Sequence, residues 1–290
     1  MPVIHFLART VRHAPGLKNL KSLWNKVRPL YHCLLNPFGK GVKVHIPGPV
    51  QVRLSPAYLN YIDWEHYEEE TLQKYVAYLR ERPQAGVVDL GCSIGVFTLA
   101  ALEVSRSISV VAWDADTASV ASLFDICKYA PSLDRVHPVV GYCSSQATHR
   151  SSWDAIMQDA RQRLASVPRS EAISRAGYQY LKDTNAGQQN DVPVYSLDHV
   201  MQGASLRPKD GWILKCDVEG AEMLVLQGGK EWLQQNKPAI LLSVHPTLMQ
   251  RWNHSSTQVR AFLEELGYHI EIIGAYYNAE EESWWCVVDR

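Results

Sequence analysis

Hydrophobic and polar positions along this chain keep two different periods, and the two take turns. Short apolar runs rich in Val, Ile and Leu stand at 87–90, 108–113, 136–140, 192–197, 212–217 and 239–244. Between and around them lie segments with apolar residues at helical spacing, at 64–82, 117–129, 220–226 and 257–266. Continuous apolar runs read as strands buried on both faces, and their alternation with helices predicts a parallel, doubly wound α/β sheet. Several breaks carry their own chemistry. The 64–82 helix has Glu65, Glu68, Glu69 and Glu70 early and Arg80 and Arg82 late, complementing a helix dipole, and Pro83 ends it. Gly267 stops the last helix before two final strands at 268–273 and 284–288.

Two regions depart from the alternation. At 16–35, Leu17, Leu20, Leu23, Trp24, Val27, Leu30 and Leu34 recur at helical spacing with Lys18, Lys21, Lys26 and Arg28 elsewhere, and Pro29 predicts a kink. Residues 39–54 alternate around Pro47-Gly48-Pro49, as a β-ribbon does. Together they predict an N-terminal extension over 1–62, ahead of a main domain over 63–290. The second departure, at about 145–190, holds two amphipathic helices near 152–166 and 171–182 and a polar tail. It is longer than a plain crossover needs, so a substrate wall and a surface decoration are both open.

Composition changes this picture little. Of 290 residues 46% are hydrophobic and 20% charged, as in ordinary globular domains. The net charge of −1 conceals an asymmetry: residues 1–62 hold nine Lys and Arg and no Asp or Glu. Such a basic block suits an anionic surface, and residues 1–53 are the expected peripheral-membrane contact if there is one. The six cysteines are scattered without a C-x-x-C pair, which predicts free thiols, no zinc site and a reducing, cytoplasmic setting. No run of apolar residues is long enough to span a bilayer.

Candidate chemistry begins at Val87-Val-Asp-Leu-Gly-Cys-Ser-Ile-Gly-Val-Phe-Thr98, which reads as strand, glycine turn and helix start. A dinucleotide fingerprint would need G-x-G-x-x-G. Here Asp89, Gly91, Cys92, Ser93 and Gly95 give another spacing, and Asp89 puts a negative charge where a pyrophosphate would be repelled. A cationic cofactor such as S-adenosylmethionine, with its sulfonium and amino group, fits better. Asp114 closes the next strand, followed by Ala115, at the distance expected of an acid that binds both ribose hydroxyls. Asp116, just before Thr117, is the better helix cap. Asp217 ends the strand that a doubly wound order places beside Val87, with Glu219 after it. His245 ends the following strand, so two carboxylates and an imidazole converge on one crevice and suit deprotonation of a hydroxyl.

These residues resemble the FkbM family of S-adenosylmethionine-dependent methyltransferases. The resemblance rests on Asp89-Leu-Gly-Cys-Ser-Ile-Gly95, Asp114, Val194-Tyr-Ser-Leu-Asp198, Leu214-Lys-Cys-Asp-Val-Glu-Gly-Ala-Glu222 with Gly228, and His245. It covers about residues 85–290. Ser93 stands where the family usually has Asn, and Asp114-Ala115 where it commonly has Glu-Pro. The resemblance implies a Rossmann-like class I methyltransferase sheet of seven mostly parallel strands. It also implies O-methylation, often of sugars or polysaccharides. Cofactor contacts then fall to Asp89, Gly91, Cys92, Ser93, Gly95, Asp114, Ala115 and Asp217, and catalysis to His245, Asp217 and Glu219. A metal-free base is the first expectation. A divalent cation held by Asp217, Glu219 and His245 is the alternative. Rival readings are methylation of a non-sugar metabolite or of RNA, and a non-catalytic protein that merely binds the cofactor. Nucleic acid is not the expected partner, because the catalytic half is acidic and lacks a basic aromatic motif.

Overall fold

A computed structural model of the chain describes residues 33–36, 38–130, 133–175, 192–276 and 281–289. The expected helix at 16–35 and the tail of the insertion lie almost wholly outside these residues, as does the turn before the last strand. In chain order the elements are β1 (Val42–Ile46), β2 (Val50–Leu54), α1 (Glu69–Arg80), β3 (Gly86–Leu90), α2 (Val96–Val104), β4 (Ser109–Asp114), α3 (Thr117–Cys127), β5 (Val136–Val140) and β6 (Tyr142–Cys143). There follow α4 (Trp153–Ser166), α5 (Arg169–Arg175), β7 (Val194–Tyr195), α6 (Leu197–Gly203), β8 (Trp212–Cys216), α7 (Glu222–Gly228), α8 (Lys230–Asn236) and β9 (Ala239–Val244). The chain closes with α9 (Pro246–Met249), α10 (Ser256–Glu265), β10 (His269–Tyr276) and β11 (Glu281–Val287).

Seven strands form the central sheet in the order β5-β4-β3-β8-β9-β11-β10. From β5 to β9 every pairing is parallel, while β11 runs antiparallel between β9 and β10. The chain winds outward from β3 to β5 and then returns to lay β8 on the other side of β3. That reversal opens a crevice beyond the carboxyl ends of β3 and β8, where an open α/β sheet binds its ligands.

Alternation along each strand builds two cores. Val87, Ile213, Leu241 and Trp285 face one, and Val88, Leu214, Leu242 and Trp284 the other. The β1–β2 ribbon buries its apolar face in the first of these, with Val52 and Leu54 fully covered. Gly48 turns the ribbon at φ 84°, so close to α1 that a Cβ there would meet Val76 at 2.7 Å. In the insertion, α4 is capped by the Ser152 hydroxyl, which accepts from Ala155 N–H, and it buries Ile156, Met157 and Ala160.

Three expected boundaries shift, each for a local reason. The first helix starts at Glu69 rather than near 64, because Glu68 takes a left-handed conformation (φ 41°). The run at 192–197 yields only β7, paired with β6, since the Ser196 hydroxyl accepts from His199 N–H and starts α6. The helix expected at 220–226 begins at Glu222, after left-handed Glu219 and Gly220. Among the described residues no helix is long and apolar enough to cross a membrane. Every described cysteine is a free thiol, and only Cys33 is exposed.

Candidate active site

The turn after β3 is held by strands on both sides. Gly91 and Cys92 N–H both donate to Trp113 O, at 2.8 and 3.1 Å, and Asp217 N–H donates to Leu90 O at 3.0 Å. At Gly91 (φ 74°) a Cβ would lie 1.7 Å from Asp217 O. The sequence suggests that this glycine makes room for a ligand; what it admits directly is the backbone of the neighbouring strand end. Gly95 (φ 78°) lets α2 approach α3, where a Cβ would meet the Leu123 side chain at 2.4 Å. Ser93, exposed at the tip of the turn, has φ 47°. Asn tolerates that left-handed conformation better than Ser, which gives a physical reason for Asn at this position in the resembling family. Cys92 is buried and burial pushes its thiol up, so its side chain packs and only its backbone serves the turn.

Asp89 is 1% exposed, and its Oδ2 accepts from Thr98 N–H at 3.1 Å and from Thr98 Oγ1 at 2.6 Å. Its Oδ1 has no hydrogen-bond partner. Asp114 stands at the end of β4, with Oδ2 accepting from Ser93 N–H and Oδ1 from Asp116 N–H, both at 2.9 Å. Burial raises its pKa to about 6 against the pull of those two amides. Asp116 caps α3, its Oδ2 accepting from Ser119 N–H at 3.0 Å. This leaves Asp114 clamped by the backbone, with lone pairs to spare for a diol, and Ala115 as the short link between the two acids. Asp114→Ala should weaken S-adenosylhomocysteine binding by about ten- to a hundredfold, the worth of a hydrogen bond to a charged group. Calorimetry checks this, and unchanged affinity would remove Asp114 from the ribose.

On the other side of the crevice, β8 and β9 present His245 among carboxylates. Its Nδ1 lies 2.6 Å from Glu222 Oε1, an oxygen that also accepts from Gly220 N–H at 2.9 Å. That oxygen is therefore an acceptor, so Nδ1 carries the proton and the neutral ring presents Nε2 as its basic atom. Nε2 faces Glu219 Oε2 at 3.4 Å, Asp217 Oδ1 at 3.7 Å and Glu281 Oε1 at 3.9 Å. Burial works against a charge on this ring. The Glu222 hydrogen bond and the charges of Asp217, Glu222 and Glu219 outweigh it and raise the pKa to about 9. Glu219 is raised to about 7, first by burial and then by Asp217. Glycine at 220 is what lets this turn close, since a Cβ there would meet Leu248 backbone at 2.7 Å. The candidate ligand atoms of Asp217, Glu219 and His245 lie within 4.8 Å of one another.

Lys215 is the buried cation beneath the crevice, donating to Gly91 O at 3.2 Å and to Asp217 Oδ2 at 3.4 Å. Burial opposes its charge, but Asp217, Asp89 and Glu68 raise its pKa. The structure thus joins Asp89, Gly91, Asp114 and Asp217 at one switch point and sets Glu219 and His245 beside Asp217. It adds Glu222, Lys215, Glu68, Tyr67 and Glu281. Of these, only Glu222 and Lys215 carried a sequence signal, as parts of the Lys-x-Asp-x-Glu-Gly-x-Glu run.

Strand order and the antiparallel strand next to last in the sheet are those of the Rossmann-like class I methyltransferase fold. Residues 130–270, just under half of the chain, match the family model of the methyltransferase FkbM domain. The match is narrower than the motifs suggest, beginning after the glycine turn. Solved structures it is similar to include methyltransferase FkbM from Methylobacillus flagellatus KT, at 13% identity and TM-score 0.44, covering 74% of this chain and 52% of that one. The chain thus spans about half the length of that protein. Precorrin-6y C5,15-methyltransferase from Geobacter metallireducens GS-15 is similar at 11% identity and TM-score 0.44, over 80% of this chain and 92% of that one. Magnesium protoporphyrin IX methyltransferase from Synechocystis PCC 6803, solved with bound SAH, gives 12% identity and TM-score 0.39, over 76% and 82% of the two chains. No curated protein sequence matches the chain.

Proposed function

We propose that this chain is an S-adenosylmethionine-dependent O-methyltransferase acting on a hydroxyl of a sugar or polysaccharide. The observation that carries the reading is the Glu222–His245 pair, whose Nε2 opens among Asp217, Glu219 and Glu281. A hydroxyl needs a base to become a useful nucleophile, and a carboxylate-oriented imidazole is that base. The surrounding carboxylates are acceptors for several hydroxyl donors at once, as a polyhydroxylated acceptor offers. Glu219, 42% exposed, stands nearest to solvent among them.

S-adenosylmethionine supplies an electrophilic methyl group on a sulfonium. The residues present fit such a cofactor: Asp114 offers acceptors at one strand end, and unpartnered buried oxygens on Asp89 and Asp217 mark a crevice made for positive charge. Asp217 stands between the two halves of the site, one oxygen toward Lys215 and the other toward His245. Asp217 and Asp89 would hold that positive charge, and Asp217 so engaged would do less to keep His245 protonated, leaving the imidazole a readier base. Holding acceptor and donor together supplies the rest of the rate enhancement.

A second reading rests on the Asp217–Glu219–His245 cluster, which is compact enough for a divalent cation that would acidify the acceptor hydroxyl. Methyl transfer from labelled S-adenosylmethionine to a panel of saccharides, non-sugar alcohols and RNA, with and without EDTA, tests both. Saccharide methylation that resists EDTA supports the proposal. Loss of turnover in EDTA, restored by added magnesium or manganese, favours the cation, and a preference for RNA or a non-sugar alcohol overturns the sugar assignment.

A further inference from the structure

We infer that Glu68, contributed by the segment ahead of α1, binds the protonated α-amino group of the methyl donor. The proposal rests on the S-adenosylmethionine assignment and adds to it a residue that lies outside the family match and its motifs.

Glu68 occupies the N-cap of α1, yet its side chain caps nothing; its backbone carbonyl accepts from Leu72 N–H at 2.8 Å. A cap that leaves its side chain free sends that side chain elsewhere. The left-handed backbone at φ 41° costs a residue with a Cβ about 1 kcal/mol, a strain that clusters at ligand sites. The half-buried carboxylate lies within electrostatic reach of the crevice. It hydrogen-bonds the Tyr67 hydroxyl and feels the charges of Lys215 on β8, Asp217 beyond it and Glu281 on β11. Tyr67 in turn feels Asp217 and Asp89. One short segment therefore reaches groups on β3, β8 and β11, which meet only at the switch point.

Charge at that point does not balance. Four carboxylates, Asp89, Asp217, Glu68 and Glu281, meet two cations: Lys215, which already donates to Gly91 O and Asp217 Oδ2, and His245 beside Asp217 and Glu281. Asp89 supplies an independent sign that something is missing. Its side chain is buried, one oxygen is engaged by Thr98, the other has no partner, and the carboxylate feels the charges of Lys215 and Asp217. An ammonium, with three donors and one charge, satisfies an unpaired buried carboxylate oxygen and the Glu68 carboxylate beside Tyr67 together. The methyl donor carries such a group at the end of its amino-acid arm.

The test compares two ligands that differ in that arm. S-adenosylhomocysteine has it; 5′-methylthioadenosine keeps the adenosine and thioether without it. In the full-length protein, Glu68→Gln is expected to weaken S-adenosylhomocysteine about tenfold or more and leave 5′-methylthioadenosine unchanged. Equal losses for both ligands, or none for either, would overturn the assignment. Should Glu68→Gln fail to fold, N-acetylated S-adenosylhomocysteine on the wild-type protein removes the same charge from the ligand side. Undiminished binding of that compound would also overturn it. A wild-type protein that binds neither nucleoside refutes the cofactor assignment itself, a result distinct from the loss of selectivity.

Discussion

His245→Ala is expected to lower turnover by about two to four orders of magnitude, the usual worth of a positioned general base, while cofactor affinity stays nearly intact. The separation follows from placement: His245 stands at the end of β9, on the acceptor side of Asp217, whereas Asp114 stands across the sheet at the end of β4. Glu222→Gln gives the finer test, because a glutamine oxygen keeps an acceptor for Nδ1 and for Gly220 N–H while removing the charge. In the wild-type enzyme the base is active only when neutral, so kcat/KM measured with the methyl donor limiting should climb with pH and level off above about 9, the pKa of the donor-free enzyme's imidazole. In Glu222→Gln the inflection should move to lower pH and the plateau should fall. An inflection that stays in place with a reduced plateau would leave Glu222 a packing residue and nothing more.

The same ionisation has a consequence for stability with the opposite slope. The folded pKa of His245 lies above its ordinary 6.5, so the protonated ring favours the folded state. That contribution is complete below about 6.5 and is lost as pH rises through about 9. The fold is thus held most firmly where the base is idle. Activity and this part of the stability change in opposite directions over one pH window, and thermal melts of the wild type and His245→Ala across that window should converge at its alkaline end.

What the sequence made legible, and what it hid, divides along sequence distance. The strands of the sheet interior show as continuous apolar runs because both faces are covered, and Asp89, Asp114, Asp217 and His245 fall at their carboxyl ends by chain order alone. Asp116 was readable as a cap from its place before Thr117. Glu68 was not, since an acid near a helix start is the expected complement to the dipole, and only a left-handed backbone brings it within reach of the crevice instead. Glu281 was equally hidden. It reaches His245 because β11 inserts antiparallel between β9 and β10, and hydropathy does not encode where in the sheet a last strand inserts. Glu222 and Lys215 sat in the most specific motif of the chain, but pattern alone does not say which member of a motif faces a ligand and which orients its neighbour.

Gly91→Ala should be the most damaging small substitution in the crevice, and comparison with Gly95→Ala shows why. Both glycines have positive φ, at 74° and 78°, so both variants incur the left-handed cost of about 1 kcal/mol or more. They differ in what a methyl group meets. At Gly95 it meets the Leu123 side chain, which can rotate or shift; at Gly91 it meets the carbonyl oxygen of Asp217 at 1.7 Å, which moves only with the end of β8. Overpacking against backbone adds about 1–3 kcal/mol, so Gly91→Ala should lose roughly 2–4 kcal/mol in all and Gly95→Ala appreciably less. In a chain of this size that is a fall in melting temperature of about 4–16 °C. The displaced β8 end carries Asp217 away from Lys215 and His245, so Gly91→Ala should also lose methyl transfer beyond what its stability predicts. Equal melting temperatures for the two variants would mean that the turn yields at Gly91 as easily as Leu123 does, and that the contact between the ends of β3 and β8 does not set the geometry of the site.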